Sequence, residues 1–222
     1  MSFALEENAA GLLELRALHR PNYGAIHADW TGAELRRRIA GGKRQPLAKA
    51  VGLHKQQPGE APLSVLDANA GLGRDGYTLA ALGAAMTLAE RNASIHALLA
   101  NAHARALAAP DCAAIAQRIE LLHAEAAAVL DGSRQWDVVY LDPMYPDDGK
   151  AALPSKEMQI LRDLTGGDAD ADALLQPALA CARRRVVVKR PLKAPFMAGV
   201  EASLSLRSTL LRFDIYLKPS SS

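Results

Sequence analysis

The sequence predicts an α/β fold built around a mostly parallel sheet of seven strands. From about residue 63 onward, short apolar runs alternate with helical patterns, which is typical of βαβ units. A glycine-rich turn follows the first apolar run, and two closely spaced runs near the end of the sequence predict a hairpin. With 222 residues, half of them apolar, the sequence can form one sizeable domain and a small appendage.

The alternation predicts the elements of residues 61–222, which we expect to form the main domain. Strands are predicted at residues 64–69, 85–90, 118–124, 136–142 and 185–189. Helices are predicted after the first strand to about residue 83, over 93–109 and near 171–183. The last two runs, 201–207 and 210–217, are close enough to pair, so we expect the sheet to end with one antiparallel strand.

Residues 1–60 lack this alternation and are predicted to form a small N-terminal segment. This segment contains a predicted helix near residues 4–19, a short apolar run at 25–30 and a basic stretch. Residues 56–62 are rich in Gln and Pro, so we expect them to be the loop that joins the segment to the main domain.

Positive charge is concentrated in two segments that contain no acid. The formal net charge is only +2, but residues 35–59 and 181–195 together hold half of the 26 basic residues. Clustered Lys and Arg beside a catalytic edge are suited to a phosphate backbone. The same clusters also fit ordinary solvated faces, so charge alone leaves the partner open.

The remaining composition predicts a cytoplasmic protein without a membrane span or a metal. Nothing in the sequence resembles a transmembrane helix or a secretory signal. Cys112 and Cys181 are isolated, as expected for two reduced thiols. His96 and His103 share a predicted helix face, but no carboxylate or Cys completes a set of metal ligands.

Residues 71–76 form a glycine-rich loop between a predicted strand and a predicted helix. They read Gly-Leu-Gly-Arg-Asp-Gly and satisfy the G-x-G-x-x-G pattern. Glu90 lies at the end of the next strand, where a carboxylate can bind two ribose hydroxyls of a dinucleotide or of S-adenosylmethionine. We therefore predict a nucleoside cofactor held by Gly71, Gly73 and Glu90, with a purely structural turn as the alternative.

Charged residues around this loop favour S-adenosylmethionine over a dinucleotide. Asp67, at the strand end, would repel a pyrophosphate but suits the ammonium group of a methionine moiety. Arg74 can pair with the cofactor carboxylate, and Asp75 can bind its amine or cap the helix. Glu125, after the third strand, is placed to meet the adenine edge, unless it is a solvent-exposed loop charge.

Residues 142–146, Asp-Pro-Met-Tyr-Pro, follow the fourth predicted strand. They resemble the (Asp/Asn)-Pro-Pro-(Tyr/Phe) tetrapeptide of methyltransferases that act on exocyclic amino groups. Such a nitrogen is a poor nucleophile because its lone pair is delocalised into the ring. Asp142 and the Pro143 carbonyl can accept its hydrogens, and Tyr145 can stack on the ring and align the nitrogen with a methyl donor. A strand-ending Asp-Pro turn is the structural alternative.

With these motifs, the sequence resembles the RsmJ family of bacterial enzymes, which methylate N2 of a guanosine near the 3′ end of 16S ribosomal RNA. The resemblance spans about residues 65–217, with a looser match within residues 41–52. The strings that carry it are Asp67-Ala-Asn-Ala-Gly-Leu-Gly-Arg-Asp75, Leu88-Ala-Glu-Arg-Asn92, Tyr140-Leu-Asp-Pro-Met-Tyr-Pro146, Lys156-Glu-Met158, Asp170-Ala-Asp172, Arg185-Val-Val-Val-Lys-Arg-Pro191 and Arg212-Phe-Asp-Ile-Tyr216.

The resemblance implies a Rossmann-like, seven-stranded class I S-adenosylmethionine-dependent methyltransferase fold with a small N-terminal appendage. The methyl-donor contacts that it implies are Arg74, Asp75, Glu90, Arg91, Glu125, Ala126 and Asp142. The family often has hydroxyl residues at the positions that match 125–126, so the sequence departs from the family there. Some relatives carry an N-terminal extension that we expect this sequence to lack, which would leave any substrate role of that extension to residues 1–60.

The resemblance also implies 16S ribosomal RNA in the small ribosomal subunit as the partner. Lys189 and Arg190 leave the fifth predicted strand at the same sheet edge as Asp142, and Lys43 and Arg44 lie in the basic stretch, so we predict RNA contacts for these four basic residues. Three alternatives remain open: methylation of adenine N6 or of a protein glutamine amide, a dinucleotide-dependent oxidoreductase, and a non-catalytic ribosome-assembly factor.

Overall fold

The computed structural model describes residues 1–144, 155–167 and 170–218. The strands are β1 (Phe3–Glu7), β2 (Leu13–Ala17), β3 (Ala25–Ile26), β4 (Ser64–Asp67), β5 (Ala85–Glu90), β6 (Ile119–His123), β7 (Trp136–Leu141), β8 (Ala182–Pro191), β9 (Leu204–Arg207) and β10 (Leu211–Leu217). The helices are α1 (Ala33–Ala40), α2 (Pro46–Val51), α3 (Arg74–Ala81), α4 (Ala93–Ala108), α5 (Pro110–Ala116), α6 (Ala126–Leu130), α7 (Lys156–Thr165) and α8 (Leu175–Cys181).

The larger of the two sheets in the described part of the chain has seven strands in the order β6-β5-β4-β7-β8-β10-β9, which confirms the predicted fold class. Neighbouring strands from β6 to β8 are parallel, whereas β10 runs antiparallel to both β8 and β9. The parallel strands are covered on both faces, and this explains continuous apolar runs such as Val186-Val-Val188, all fully buried.

The predicted terminal hairpin is present, but its antiparallel strand does not lie at the edge of the sheet. β10 pairs with β8 along all seven of its residues and is mostly buried, whereas β9 is short and mostly exposed. The more apolar strand therefore occupies the interior position, and β9 forms the edge. The expectation that the sheet ends with one antiparallel strand is wrong.

Residues 3–17 form an antiparallel hairpin of β1 and β2, so the predicted helix near residues 4–19 is wrong. Asn8 makes the turn, because its Oδ1 accepts hydrogen bonds from two backbone N–H groups at 2.9 and 3.2 Å, and Gly11 adopts a φ of 73°. β2 then buries alternate residues, Leu15 and Ala17. Leu, Glu and Ala favour a helix locally, but turn chemistry and the burial of one strand face outweigh that propensity.

The two faces of the large sheet carry separate hydrophobic clusters. α1 to α5 and α7 contribute to one cluster, and α6 and α8 contribute to the other. Leu15, Trp30 and Leu47 of the N-terminal segment belong to the first cluster, so this segment shares a core with the sheet. Val187 faces that cluster and Val188 faces the other, as strand alternation requires.

A turn after β8 holds Ala198 in the left-handed region, with a φ of 52° and a ψ of 21°. A residue with a Cβ is strained there by about 1 kcal/mol or more. We expect Ala198→Gly to raise the free energy of unfolding by about 1 kcal/mol, and Tm by about 2–4 °C, in thermal denaturation. Gly199→Ala is the control: Gly199 has a φ of 69°, so this substitution should lower Tm. A lower Tm for Ala198→Gly would contradict the strain.

Candidate active site

A cleft of about 240 Å³ opens at the carboxyl edge of the large sheet, where β4 and β7 end. β4 and β7 are neighbours although their chain connections run to opposite sides, which makes this the switch point where such sheets bind ligands. The cleft is lined by every residue predicted to bind the cofactor, namely Asp67, Gly71, Gly73, Arg74, Asp75, Glu90, Arg91, Glu125, Ala126 and Asp142. Sequence positions 75 residues apart therefore meet in one cleft.

The three glycines of the loop have different roles. Gly71 turns the chain with a φ of 54°, and an added Cβ would meet nothing within 4 Å. Gly73 has a φ of 72°, and a Cβ there would lie 2.7 Å from the indole of Trp30. A Cβ on Gly76 would collide with Leu88 of β5, because α3 packs closely on that strand.

Trp30, from the N-terminal segment, supports the glycine-rich loop. Its Nε1 donates to the Leu72 carbonyl at 3.1 Å, and its ring packs on that of Tyr77 with centroids 5.1 Å apart. Trp30 is only 1% exposed. The N-terminal segment is thus in direct contact with the loop that shapes the cleft.

Glu90 is held at the end of β5 by two backbone groups. One carboxylate oxygen accepts from the Gly71 N–H at 3.1 Å, and the other accepts from the Asn92 N–H at 2.8 Å. Glu90 is 7% exposed and lines the cleft. This orientation fits a carboxylate that receives hydrogen bonds from vicinal hydroxyls.

Asp67 and Asn69 present buried acceptors that no donor in the described part of the chain reaches, Oδ1 of each side chain. Burial raises the pKa of Asp67 well above its usual range, and repulsion from Asp75 and Asp142 adds to this shift. A bound ammonium group would supply the missing hydrogen bonds and a compensating charge. The methionine end of S-adenosylmethionine carries such a group, so the cleft fits this cofactor.

Arg74 makes a two-pronged ion pair with Glu157 of α7, with N–O distances of 2.5 and 2.8 Å. This bond raises the pKa of the Arg74 guanidinium, although burial opposes the rise. Both residues line the cleft. Arg74 was predicted to pair with the cofactor carboxylate, and the structure adds an internal carboxylate as its partner.

Asp75 is the centre of a buried charge cluster. It accepts hydrogen bonds from Arg38, from the Tyr140 hydroxyl at 2.6 Å and from Lys189 Nζ at 3.0 Å. Burial alone would raise the pKa of Asp75, but Lys189 and Arg38 outweigh burial and lower it. Asp75 is therefore occupied by protein donors, which makes it a support of the site more than a ligand for the cofactor amine.

Asp142 and Pro143 follow β7 at the edge of the cleft. Asp142 Oδ2 accepts a hydrogen bond from Lys189 Nζ at 2.7 Å, and its side chain is 34% exposed. Burial raises the pKa of Asp142 and Asp75 adds to this, while Lys189 offsets part of the rise. Tyr145, the predicted stacking residue, lies outside the described residues.

Arg91, Glu125 and Ala126, which follow β5 and β6, also line the cleft. Arg91 donates to the Gly167 carbonyl at 3.0 Å and lies 3.8 Å from Glu125. The Glu125 side chain is 61% exposed, whereas Ala126 is buried at the start of α6. Glu125 therefore has the exposure of a loop charge, the alternative that its sequence position left open.

The predicted RNA contacts by Lys189 and Arg190 are not supported by the structure. Lys189 is tied to Asp75 and Asp142, as described above. Arg190 is only 3% exposed and lies on the sheet face opposite Lys189, the face that also carries Val188. The structure instead assigns Lys189 to the cleft and Arg190 to the interior.

The basic segments differ in their distance from the cleft. Residues 183–185 lie at the start of β8, at the sheet edge opposite the cleft. Arg184 pairs there with Asp137 at 3.3 Å. Lys43 and Arg44 are exposed in a turn after α1, the helix that sends Arg38 into the cleft.

Four residues that shape the site were not predicted from the sequence: Trp30, Arg38, Tyr140 and Glu157. Helical periodicity offered a signal for Arg38, which lies three residues after the buried Leu35 and so shares its inward face. For Lys189, whose contact with the cleft was also not predicted, the signal was strand alternation, which places it on the same face as Val187.

Within the described ranges, no group of three or more His, Cys, Asp and Glu side chains could hold a metal ion. The same residues contain no helix that is long and apolar enough to cross a membrane.

A family described as "Putative SAM-dependent methyltransferase" matches residues 1–218. The chain is also similar to proteins named ribosomal RNA small subunit methyltransferase J. The Vibrio vulnificus protein is 46% identical over 222 residues, covering 95% of this chain and 84% of the relative. The Pseudomonas aeruginosa protein is 48% identical over 223 residues, covering 97% of this chain and 82% of the relative.

Solved structures agree with these matches. A SAM-dependent methyltransferase from Neisseria gonorrhoeae is 32% identical, with a TM-score of 0.70, covering 93% of this chain and 79% of that chain. A T. thermophilus 16S rRNA N2 methyltransferase, solved with AdoMet and guanosine, has a TM-score of 0.56 at 15% identity, which supports the fold alone; it covers 98% of this chain and 50% of that chain. The chain therefore belongs to the SAM-dependent methyltransferases and, among them, to the ribosomal RNA small subunit methyltransferase J family.

Proposed function

We propose that this protein transfers a methyl group from S-adenosylmethionine to the N2 amino group of a guanosine in 16S ribosomal RNA. The observation that carries the proposal is the position of Asp142 in the lining of the cofactor cleft, because an amino group held by its carboxylate lies next to the methyl donor. The names of the relatives favour small-subunit RNA as the substrate. The small ribosomal subunit is then the partner, and the cytoplasm is the place of action.

The charges and acceptors of the cleft support binding of S-adenosylmethionine, which supplies a methyl group on a positively charged sulfur. Glu90 is suited to the ribose hydroxyls, Asp67 to the ammonium group and Arg74 to the carboxylate. The buried Asp67 side chain has an oxygen that no donor in the described ranges reaches, which favours a cationic donor beside it. The residues proposed to border the adenine are Arg91, Glu125 and Ala126.

Asp142 and Pro143 are proposed to orient the acceptor nitrogen. The carboxylate and the Pro143 carbonyl accept hydrogen bonds from its two N–H groups and favour a more tetrahedral nitrogen, while Tyr145 stacks on the base. No base is needed before the transfer, because the nitrogen becomes acidic only when it is methylated. Its proton can then pass to Asp142 and on to water.

The substrate guanosine has to leave the RNA stack to enter the cleft, at a cost of roughly a few kcal/mol. Contacts to the neighbouring phosphates offset this cost. Lys43 and Arg44 are exposed on the turn after α1 and are proposed to make such contacts.

Transfer of tritiated methyl from S-adenosylmethionine to small ribosomal subunits that lack this modification tests the proposal. We expect label in N2-methylguanosine after digestion and nucleoside chromatography. Label in N6-methyladenosine or in protein would overturn the substrate. If no methyl group is transferred to RNA or protein although S-adenosylhomocysteine stabilises the protein against heat, the proposed reaction is wrong and the proposed cofactor stands.

The double variant Lys43→Ala/Arg44→Ala is expected to weaken binding to small-subunit RNA. Each phosphate contact that is lost reduces the number of counterions released on binding. The slope of the logarithm of the association constant against the logarithm of the salt concentration should therefore become shallower by about 1–2. Filter binding over a range of salt concentrations measures this slope. Arg183→Ala is the matched control, since Arg183 is an exposed cation at the opposite sheet edge. An equal effect of both variants would contradict a local RNA contact.

A further inference from the structure

The side chain of Lys189 ends between two carboxylates of the cleft. Its Nζ donates to Asp142 Oδ2 at 2.7 Å and to Asp75 Oδ2 at 3.0 Å. The side chain is 24% exposed and comes from β8, the strand next to β7, which Asp142 directly follows. Lys189 thus has a fixed place beside the carboxylate that we assign to the acceptor nitrogen.

We propose that Lys189 is a positioning residue that keeps the Asp142 carboxylate ionised and turned with Oδ1 toward the substrate amino group. The inference rests on the methyl transfer proposed above. Lys189 engages Oδ2, and no donor in the described ranges reaches Oδ1. One oxygen is therefore held by the protein while the other can accept an N–H.

The need for such a cation follows from the crowding of acids around the cleft. Asp67, Asp75 and Asp142 line the same cleft and repel one another, and such repulsion favours the protonated form of a carboxyl group. A protonated Asp142 would carry an O–H donor in place of an acceptor. It would then no longer orient an amino group for attack.

Among the described residues, the charged and titratable groups that act on Asp142 are Arg38 of α1, Asp67 of β4, Asp75 of α3, Tyr140 of β7 and Lys189 of β8. Burial and Asp75 raise the pKa of Asp142, and Lys189 and Arg38 oppose this rise. Arg38 contacts Asp75, so it acts on Asp142 across a longer distance. Lys189 makes the direct contact and is the cation whose removal should matter most.

Three variants separate the charge of Lys189 from its hydrogen bonds. Lys189→Met removes both, Lys189→Gln keeps a donor without a charge, and Lys189→Arg keeps the charge. A carboxylate that must be ionised gives a rate that rises with pH, and a higher pKa moves this rise to higher pH. We expect the acidic limb of the kcat–pH profile to move up by about one pH unit or more in the Met and Gln variants, and to stay close to wild type in Lys189→Arg.

Arg38→Met is the matched control, because it removes a cation from the same cluster that contacts Asp75 instead of Asp142. Its acidic limb should move less than that of Lys189→Met. An equal or larger shift would mean that the net charge of the cluster matters and that the contact to Asp142 does not.

A second readout does not depend on activity. Carboxyl signals of protein labelled with ¹³C-aspartate are followed with pH, and the Asp142 signal is identified by its absence in Asp142→Asn. We expect this signal to titrate at higher pH in Lys189→Met, or in Lys189→Gln should the Met variant not fold. Unchanged titration in a folded variant overturns the inference, since Lys189 would then only neutralise Asp75. Should the wild-type protein transfer no methyl group, the proposed function fails, and this titration still decides the role of Lys189.

Discussion

Replacing Asp142 with alanine is expected to lower kcat about 100-fold to 1,000-fold, which corresponds to about 3 kcal/mol of lost transition-state stabilisation. The carboxylate has to accept a hydrogen bond from the amino group at the moment when the nitrogen lone pair attacks. An alanine leaves that hydrogen without a preorganised acceptor. Single-turnover transfer of methyl groups to small ribosomal subunits measures the effect.

Asp142→Asn is the matched control for this prediction. Asparagine keeps the shape and one acceptor oxygen but loses the charge, so we expect a smaller loss than with alanine. Thermal stabilisation by S-adenosylhomocysteine reports whether the cleft is intact in both variants. Near-normal turnover of a folded Asp142→Ala protein would rule out the assigned role.

Replacing Trp30 with alanine is expected to lower the free energy of unfolding by about 3–5 kcal/mol, because a fully buried indole is removed from the core. The substitution should also weaken binding of the cofactor. Trp30 closes the space beside Gly73 and donates to the Leu72 carbonyl, so without it the glycine-rich loop can move. We expect weaker binding of S-adenosylhomocysteine, measured by calorimetry, together with a lower midpoint in urea denaturation.

Trp30→Phe separates the two contributions. Phenylalanine keeps most of the packing but leaves the Leu72 carbonyl without its donor, which should cost about 1–3 kcal/mol. A loss below about 1 kcal/mol for Trp30→Ala would show that the N-terminal segment does not support the loop. Equal cofactor affinity in wild type and Trp30→Ala would show that the loop holds its shape by itself.

Much of the cofactor site was predictable because its residues lie at the ends of strands. Asp67, Glu90 and Asp142 each follow a short apolar run, and parallel strands end at one edge of the sheet. The glycine-rich loop between β4 and α3 was equally local. Its pattern specifies a turn and a close helix approach, and the structure contains both at Gly71 and Gly76.

The charge cluster was not predictable in the same way. Its ion pairs join Arg38 to Asp75 and Lys189 to Asp142, residues that are distant in sequence and come from α1, α3, β8 and the loop after β7. A cation in a basic stretch looks the same in the sequence whether it faces solvent or a buried carboxylate. This is why Lys189 and Arg190 were both assigned to RNA, although one enters the cleft and the other is buried.

The sequence by itself determined the α/β class, the order of the parallel strands along the chain, the loop that shapes the cofactor cleft and the family. These follow from apolar periodicity, glycine conformations and local motifs, which act over a few residues. Tertiary structure decided that residues 3–17 form a hairpin, that β10 lies inside the sheet and that Lys189 contacts Asp142. Burial and charge pairing between distant segments decide such features, because their free energies depend on which surfaces meet in the folded chain.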